Sequence, residues 1–194
     1  MRNLLSTKDQ RQLRLMETLI QHRDWLKLHE LADKLGCTER ILKSDLNELR
    51  AAFPTIDIQS SVNGIMIDLE VNTSVEDIYQ YFLAHSQSFQ LLEYLFFNEG
   101  LPIYRTIENL HSSNANLYRL GRNITKTLST QFQIELSFTP SEIRGNEIDI
   151  RYFFAQYFSE RYYFLDWPFP DLPEAALTEF ADFFFKITNY PMRF

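Results

Sequence analysis

The stretch Leu31-Ala32-Asp33-Lys34-Leu35-Gly36-Cys37-Thr38-Glu39-Arg40-Ile41-Leu42-Lys43-Ser44-Asp45-Leu46 decides how the chain is read. Leu28, Leu31, Ala32 and Leu35 recur at helical spacing and predict a short helix. Gly36 suits the left-handed position that follows a helix, and Gly36-Cys37 forms a turn. Thr38 is a good N-cap, because its hydroxyl can accept from a backbone N–H of the next turn. The helix it opens has an expected buried face of Ile41, Leu42, Leu46, Leu49 and Phe53, and Pro54 ends it. A helix, a turn of about three residues and a second helix make a helix-turn-helix. The outer face of the later helix offers Glu39, Arg40, Lys43, Ser44, Asn47 and Arg50, side chains that bond phosphates and base edges. Any amphipathic surface helix carries a similar face, so the flanking sequence has to decide.

Upstream, Thr7 and Gln10 have capping-box spacing, and Leu13, Met16, Leu19 and Ile20 follow on one helical face to about Arg23. A short break at Asp24-Trp25 separates this helix from the next. Downstream, Ile56 and Ile58 alternate with polar residues, and Ile65, Ile67 and Leu69 alternate again. Asn63-Gly64 between them is a strong hairpin signal. Three helices followed by a hairpin is the winged-helix order. The wing tip offers Ser60, Ser61 and Asn63 but no Lys or Arg, so its expected part in DNA contact is weak.

The order then repeats. Ser74 and Asp77 have capping spacing before Val75, Ile78, Tyr79, Phe82 and Leu83. A second helix is expected from about Ser88 to Asn98, with Phe89, Leu92, Leu95 and Phe96 inward and Gly100 as its stop. A short helix holds Ile103, Ile107 and Leu110. Leu117, Leu120, Ile124 and Leu128 define another, whose outer face carries Asn114, Asn116, Tyr118, Arg119, Arg122, Asn123 and Lys126 and no acid. Phe132, Ile134 and Leu136 alternate as a strand, Pro140-Ser141 turns, and Ile143 to Glu147 returns.

Charge at first opposes a nucleic-acid reading. The 194 residues carry 26 acidic and 19 basic side chains, net −7. The deficit sits in residues 51–100, which hold 7 acids and no Lys or Arg, so both candidate recognition helices lie outside it. Aromatic residues cluster as well: 16 of 29 fall in residues 151–194. So short a segment can scarcely bury that many rings within itself. It should dock on the preceding unit, pair with another chain or, the favoured reading, begin a larger domain cut short here.

In order, the Leu31–Leu46 stretch, Asn116-Leu117-Tyr118-Arg119, Ile143-Arg144-Gly145-Asn146-Glu147, the run Ile150 to Phe158 and Trp167-Pro168-Phe169 resemble the amino-terminal part of the Mga, AtxA and RofA-like regulators of Gram-positive bacteria. The resemblance implies a cytoplasmic transcriptional regulator, often of virulence or stress genes. It implies a mainly α fold with small β-hairpin wings: two winged helix-turn-helix domains, then the helical start of a phosphotransferase-system regulatory domain. The divisions expected are 1–72, 73–148 and 149–194. Double-stranded DNA is the expected partner, with a homodimer formed through parts beyond this chain and phosphotransferase-system proteins acting there. The four histidines are His22, His29, His85 and His111, so no regulatory histidine of such a domain can be assigned after residue 150.

The residues expected to contact DNA are Thr38, Arg40, Lys43, Ser44, Asn47 and Arg50 in the first unit, and Asn114, Asn116, Tyr118, Arg119, Arg122 and Lys126 in the second. The arginines and lysines suit phosphate or guanine, and the asparagines suit adenine edges. The alternative reading is a protein-interaction module built on winged helices. No enzyme, cofactor or metal is expected. Cys37 has no sequence-adjacent base, no Cys/His set has zinc spacing, and Asp166, Asp171 and Glu174 read as a solvated loop. No apolar run reaches the roughly 18 residues of a membrane span.

Overall fold

A serine, not the expected threonine, opens the first helix. The Ser6 hydroxyl accepts from the Asp9 amide at 3.1 Å, one residue ahead of the Thr7–Gln10 pair, and Asp9 places a negative charge at the positive end of α1 (Thr7–His22). The computed structural model describes residues 1–68, 74–163 and 167–189. Helix α2 (Leu28–Leu35) stops at Gly36, whose φ of +63° is the left-handed conformation expected there. Thr38 caps α3 (Glu39–Ala52) by accepting from the Ile41 amide at 3.3 Å. The inward stripe of α3 is Leu42, Asp45, Leu46 and Leu49, all buried. That leaves Ile41, expected inward, at the edge of the stripe and 40% exposed.

The hairpin pairs β1 (Asp57–Ser61) with β2 (Gly64–Asp68) in antiparallel register, Ile58 opposite Ile67 and Ser61 opposite Gly64. The turn residues are therefore Val62 and Asn63, and Gly64 begins the second strand. Leu69, expected in this strand, lies outside the described residues. Leu26, between α1 and α2, bridges the outer edge of β2: its N–H donates to the Ile65 carbonyl at 2.9 Å and its carbonyl accepts from Ile65 at 2.8 Å.

In the second unit the Ser74–Asp77 capping box is formed in both directions and opens α4 (Val75–His85). Helix α5 (Gln87–Phe97) buries Phe89, Leu92 and Leu95. Phe96, expected inward, is 39% exposed and covers the rings of Phe154 and Phe158 at 4.6 and 4.9 Å. Helices α6 (Ile103–Asn109) and α7 (Asn114–Leu128) follow, the second capped by Ser113. The hairpin of β3 (Glu135–Phe138) and β4 (Ser141–Arg144) begins later than the alternation predicts. Ile134 is buried from the loop before it. Glu147 does not end the returning strand: Asn146 accepts from the Ile148 amide at 2.8 Å, an N-cap, and Glu147 opens α8 (Glu147–Arg161).

Helix α8, which starts two residues before the expected 149–194 segment, packs on α4 and α5. Phe153, Phe154, Tyr157 and Phe158 are buried. The Tyr157 hydroxyl lies 2.8 Å from the Phe89 carbonyl and 3.0 Å from Glu93, and Tyr162 donates to Glu93 at 2.7 Å. Burial and the Glu93 charge push the Tyr157 hydroxyl well above its ordinary value, so it stays a proton donor. By contrast, α9 (Glu174–Thr188) buries no side chain. The two units meet where the Phe53 ring lies tilted against Tyr81 at 4.6 Å, and where the Met1 ammonium reaches Glu160 at 3.0 Å, a carboxylate that also accepts from Tyr79 at 2.6 Å. Among the described residues no helix is long and apolar enough to cross a membrane.

Candidate nucleic-acid interface

Positions 40, 43, 44 and 47 fall on one side of α3, and Arg40, Lys43, Ser44 and Asn47 are all exposed there. Two of the three carboxylates of the same helix, Asp45 and Glu48, point elsewhere and are paired, while Glu39 stays exposed in its first turn. Asp45 is buried and takes a two-pronged bond from Arg11 of α1, at 2.6 and 3.1 Å, with Gln12 at 3.1 Å. Glu48 is bridged to Lys8 at 2.5 Å and accepts from Gln12 at 2.9 Å. The Lys8 bond holds the Glu48 carboxyl below the usual carboxylate range, and the Asp45 bond raises Arg11 further. These links fix α3 on α1 and keep two negative charges off its outer face.

Three of the expected contacts in this unit, Thr38, Asn47 and Arg50, are already engaged. The Thr38 hydroxyl caps its helix. Arg50 is half-buried: its Nε donates to the Ile58 carbonyl at 2.9 Å, one terminal nitrogen to Asn47 at 3.3 Å, and the other to the Ser60 hydroxyl. It ties the hairpin to α3. Conversely, the fold brings in a cation that sequence reading misses. Lys27 sits at the start of α2, and its Nζ lies 3.4 Å from the carbonyl oxygen of Val62 at the wing tip. The Leu26–Ile65 bridge places it there, and no local pattern announces such a pairing.

Helix α7 presents two polar stripes. Asn114, Tyr118, Arg122 and Lys126, at four-residue intervals, are exposed on the side of the second wing. Tyr118, Arg122 and Lys126 line a groove of about 460 Å³ with Ser137, Phe138 and Arg144 of the hairpin. Gly121 permits this approach, since a Cβ there would come within 2.5 Å of the Phe138 ring. The Tyr118 ring meets Phe138 edge-on at 5.2 Å. The second stripe faces the first unit. Arg119 and Asn123 line a polar cleft with Ser6, Asp9, Gln10 and Gln87. Asn116 accepts from Arg119 at 2.7 Å and donates to Ser112 at 2.9 Å. The fold thus brings Tyr118, Arg122 and Lys126 together, leaves Asn114 exposed one turn before Tyr118, and sets Asn116 and Arg119 apart from them.

Other chemistry is thinly represented. Cys37 is half-buried, and burial pushes its thiol up, away from the reactive thiolate. Among the described residues no group of three His, Cys, Asp or Glu side chains could hold a metal ion. Asp166 lies outside the described residues.

Comparison with known proteins converges on one family. The helix-turn-helix domain of the M protein trans-acting positive regulator, MGA, matches residues 6–65, and the Mga helix-turn-helix domain matches residues 71–158. A Streptococcus pneumoniae serotype 4 protein named as a trans-acting regulator is 46% identical over 192 residues, covering 99% of this chain and 39% of that protein. The capsule synthesis positive regulator AcpA of Bacillus anthracis is 26% identical over 179 residues, covering 89% of this chain and 36% of AcpA. The chain spans less than two fifths of the length of these relatives. With both helix-turn-helix units present in order and each built around an N-capped helix with an outward cationic face, the chain belongs to the Mga-like family of trans-acting regulators.

Proposed function

We propose that this chain is the DNA-binding part of a transcriptional regulator, engaging duplex DNA with the outer faces of α3 and α7. The observation that carries the reading is the twofold recurrence of one arrangement: an N-capped helix, an exposed polar face bearing two cations, and a hairpin beside it. Arg40 and Lys43 in the first unit, and Arg122 and Lys126 in the second, take phosphate or guanine. Ser44, Asn47, Asn114 and Tyr118 lie beside them, where they can reach bases or sugar-phosphate. Residues 1–72 and 73–148 act as the two reading units, with α8 buttressing the second. Residues 167–189 lead toward a regulatory domain of the kind the resemblance implies. The name of the Bacillus anthracis relative supports target genes of surface or virulence function. The protein works in the cytoplasm, and dimerisation and phosphotransferase-system control belong to parts beyond this chain.

Titrating the chain into fluorescent duplex DNA at several salt concentrations tests the reading. Four neutralised phosphates give a log–log slope of roughly −3.6, at about −0.9 per phosphate. No duplex binding at low salt refutes it. It would then favour the protein-interaction reading, which the exposed Phe180, Phe183 and Ile187 of α9 support.

A further inference from the structure

The first wing poses a problem for any DNA-binding reading, because its tip carries no cation. The fold supplies one from another place in the chain. Leu26 extends the hairpin by a single bridge on the outer edge of β2, and the next residue, Lys27, stands with its Nζ 3.4 Å from the Val62 carbonyl. Arg50 clamps the opposite edge of the same hairpin, β1, to α3. The order across the surface is therefore α3, β1, β2 and Lys27. Val62 at the tip is 96% exposed, and Lys27 is exposed beside it.

Lys27 has no stabilising reason to be a lysine. It is the N-cap residue of α2 and makes no side-chain cap bond. A cation there faces the positive end of the helix dipole, which disfavours it. Among the described residues it forms no ion pair, and its one side-chain bond there is the long one to a carbonyl at the exposed wing tip. A residue that breaks a local rule without a compensating contact is a candidate for function.

We infer that Lys27 is the phosphate-contacting cation of the first wing, delivered to the tip by the Leu26–Ile65 bridge. A duplex that seats α3 in its major groove runs its adjacent backbone along the hairpin, and Lys27 with the Val62–Asn63 turn meets that backbone on the side away from α3. The contact is to phosphate, so it adds affinity at every sequence and adds no base preference. The inference rests on the DNA-binding reading above.

The test uses the 194-residue chain and a duplex of roughly three helical turns, with anisotropy measured from low to moderate salt. Lys27→Met keeps the length of the stem and removes the charge. Binding should weaken about fivefold at low salt, and the log–log slope should become shallower by about 0.9. Lys27→Arg should restore both. Thermal unfolding of Lys27→Met should match the unsubstituted chain, since the side chain holds nothing in place. If the unsubstituted chain binds and Lys27→Met keeps its slope and affinity, the inference is overturned while the reading stands. If Lys27→Met weakens binding but Lys27→Arg does not restore it, the charge is not the cause, and the inference is again overturned. If the unsubstituted chain binds no duplex, both fall together.

Discussion

Replacing Gly64 with alanine would place a methyl group 2.1 Å from the Leu26 carbonyl oxygen, 2.6 Å from its carbon and 3.1 Å from the Lys27 nitrogen. All three are backbone atoms, so no side chain can swing aside. Gly64 also has φ +133°, a conformation that costs an L-residue about 1–3 kcal/mol. Relief requires Leu26 to leave β2, which gives up the hydrogen bonds of 2.9 and 2.8 Å to Ile65, each worth about 1 kcal/mol net. The sum is about 3–5 kcal/mol, a large part of the 5–15 kcal/mol that holds a typical domain. For a chain of this size it corresponds to a fall in Tm on the order of 10 °C. Urea unfolding followed by circular dichroism measures the loss, and amide exchange at Leu26 and Ile65 locates it. A Gly64→Ala protein within about 1 kcal/mol of the parent, with both amides still protected, would refute the claim that the bridge fixes this glycine.

Two further outcomes follow from the pairing scheme. Arg122→Ala with Lys126→Ala should make the DNA-binding slope shallower by about 1.8, whereas Arg119→Ala should leave it within error, because Arg119 faces the inter-unit cleft. Equal losses from both variants in the anisotropy titration would mean that the two stripes of α7 share one role. The Lys8 bond lowers the Glu48 pKa, so Glu48 contributes stability above its unfolded value, near 4.5, and that contribution fades as pH falls through the lowered folded value. Glu48→Gln should therefore flatten part of the acid limb of a stability–pH curve below pH of about 4.5 and leave its alkaline side unchanged.

Much of the chain's punctuation is legible in the sequence because capping is local. Thr38, Ser74 and Ser113 each accept from an amide three residues on, within reach of any reader of the sequence. Gly36 takes its left-handed turn for an equally local reason. Two errors, the Ser6 cap and the Asn146 cap, are local, and the others lie where distant partners decide. Phe96 reads as core by spacing, yet it is covered only in part by α8 and the loop at Phe169. Arg50 and Arg119 look alike on helical wheels. One is bound to its own wing and the other looks into a cleft, and only the tertiary arrangement separates them from Arg40 and Arg122. The aromatic excess correctly signals rings in need of neighbours. It does not reveal that α8 finds them on α5 while α9, with four Phe of its own, buries no side chain and pairs Phe180 only with Phe184 of the same helix among the described residues.

The division of labour along α3 has an evolutionary reading. Arg50 and Asp45 are anchored to the wing and to α1, so changing either disturbs the scaffold. Arg40, Lys43 and Ser44 carry no side-chain bond to the rest of the protein among the described residues, and all three are exposed. Drift at these three positions is thermodynamically cheap, so under the proposed DNA-binding reading the surface can be re-specified toward new duplexes while the architecture that presents it stays constant. A library randomised at 40, 43 and 44 over a fixed Asp45 and Arg50 should be rich in folded proteins, and sorting it against different duplexes would exploit a freedom already built into the helix.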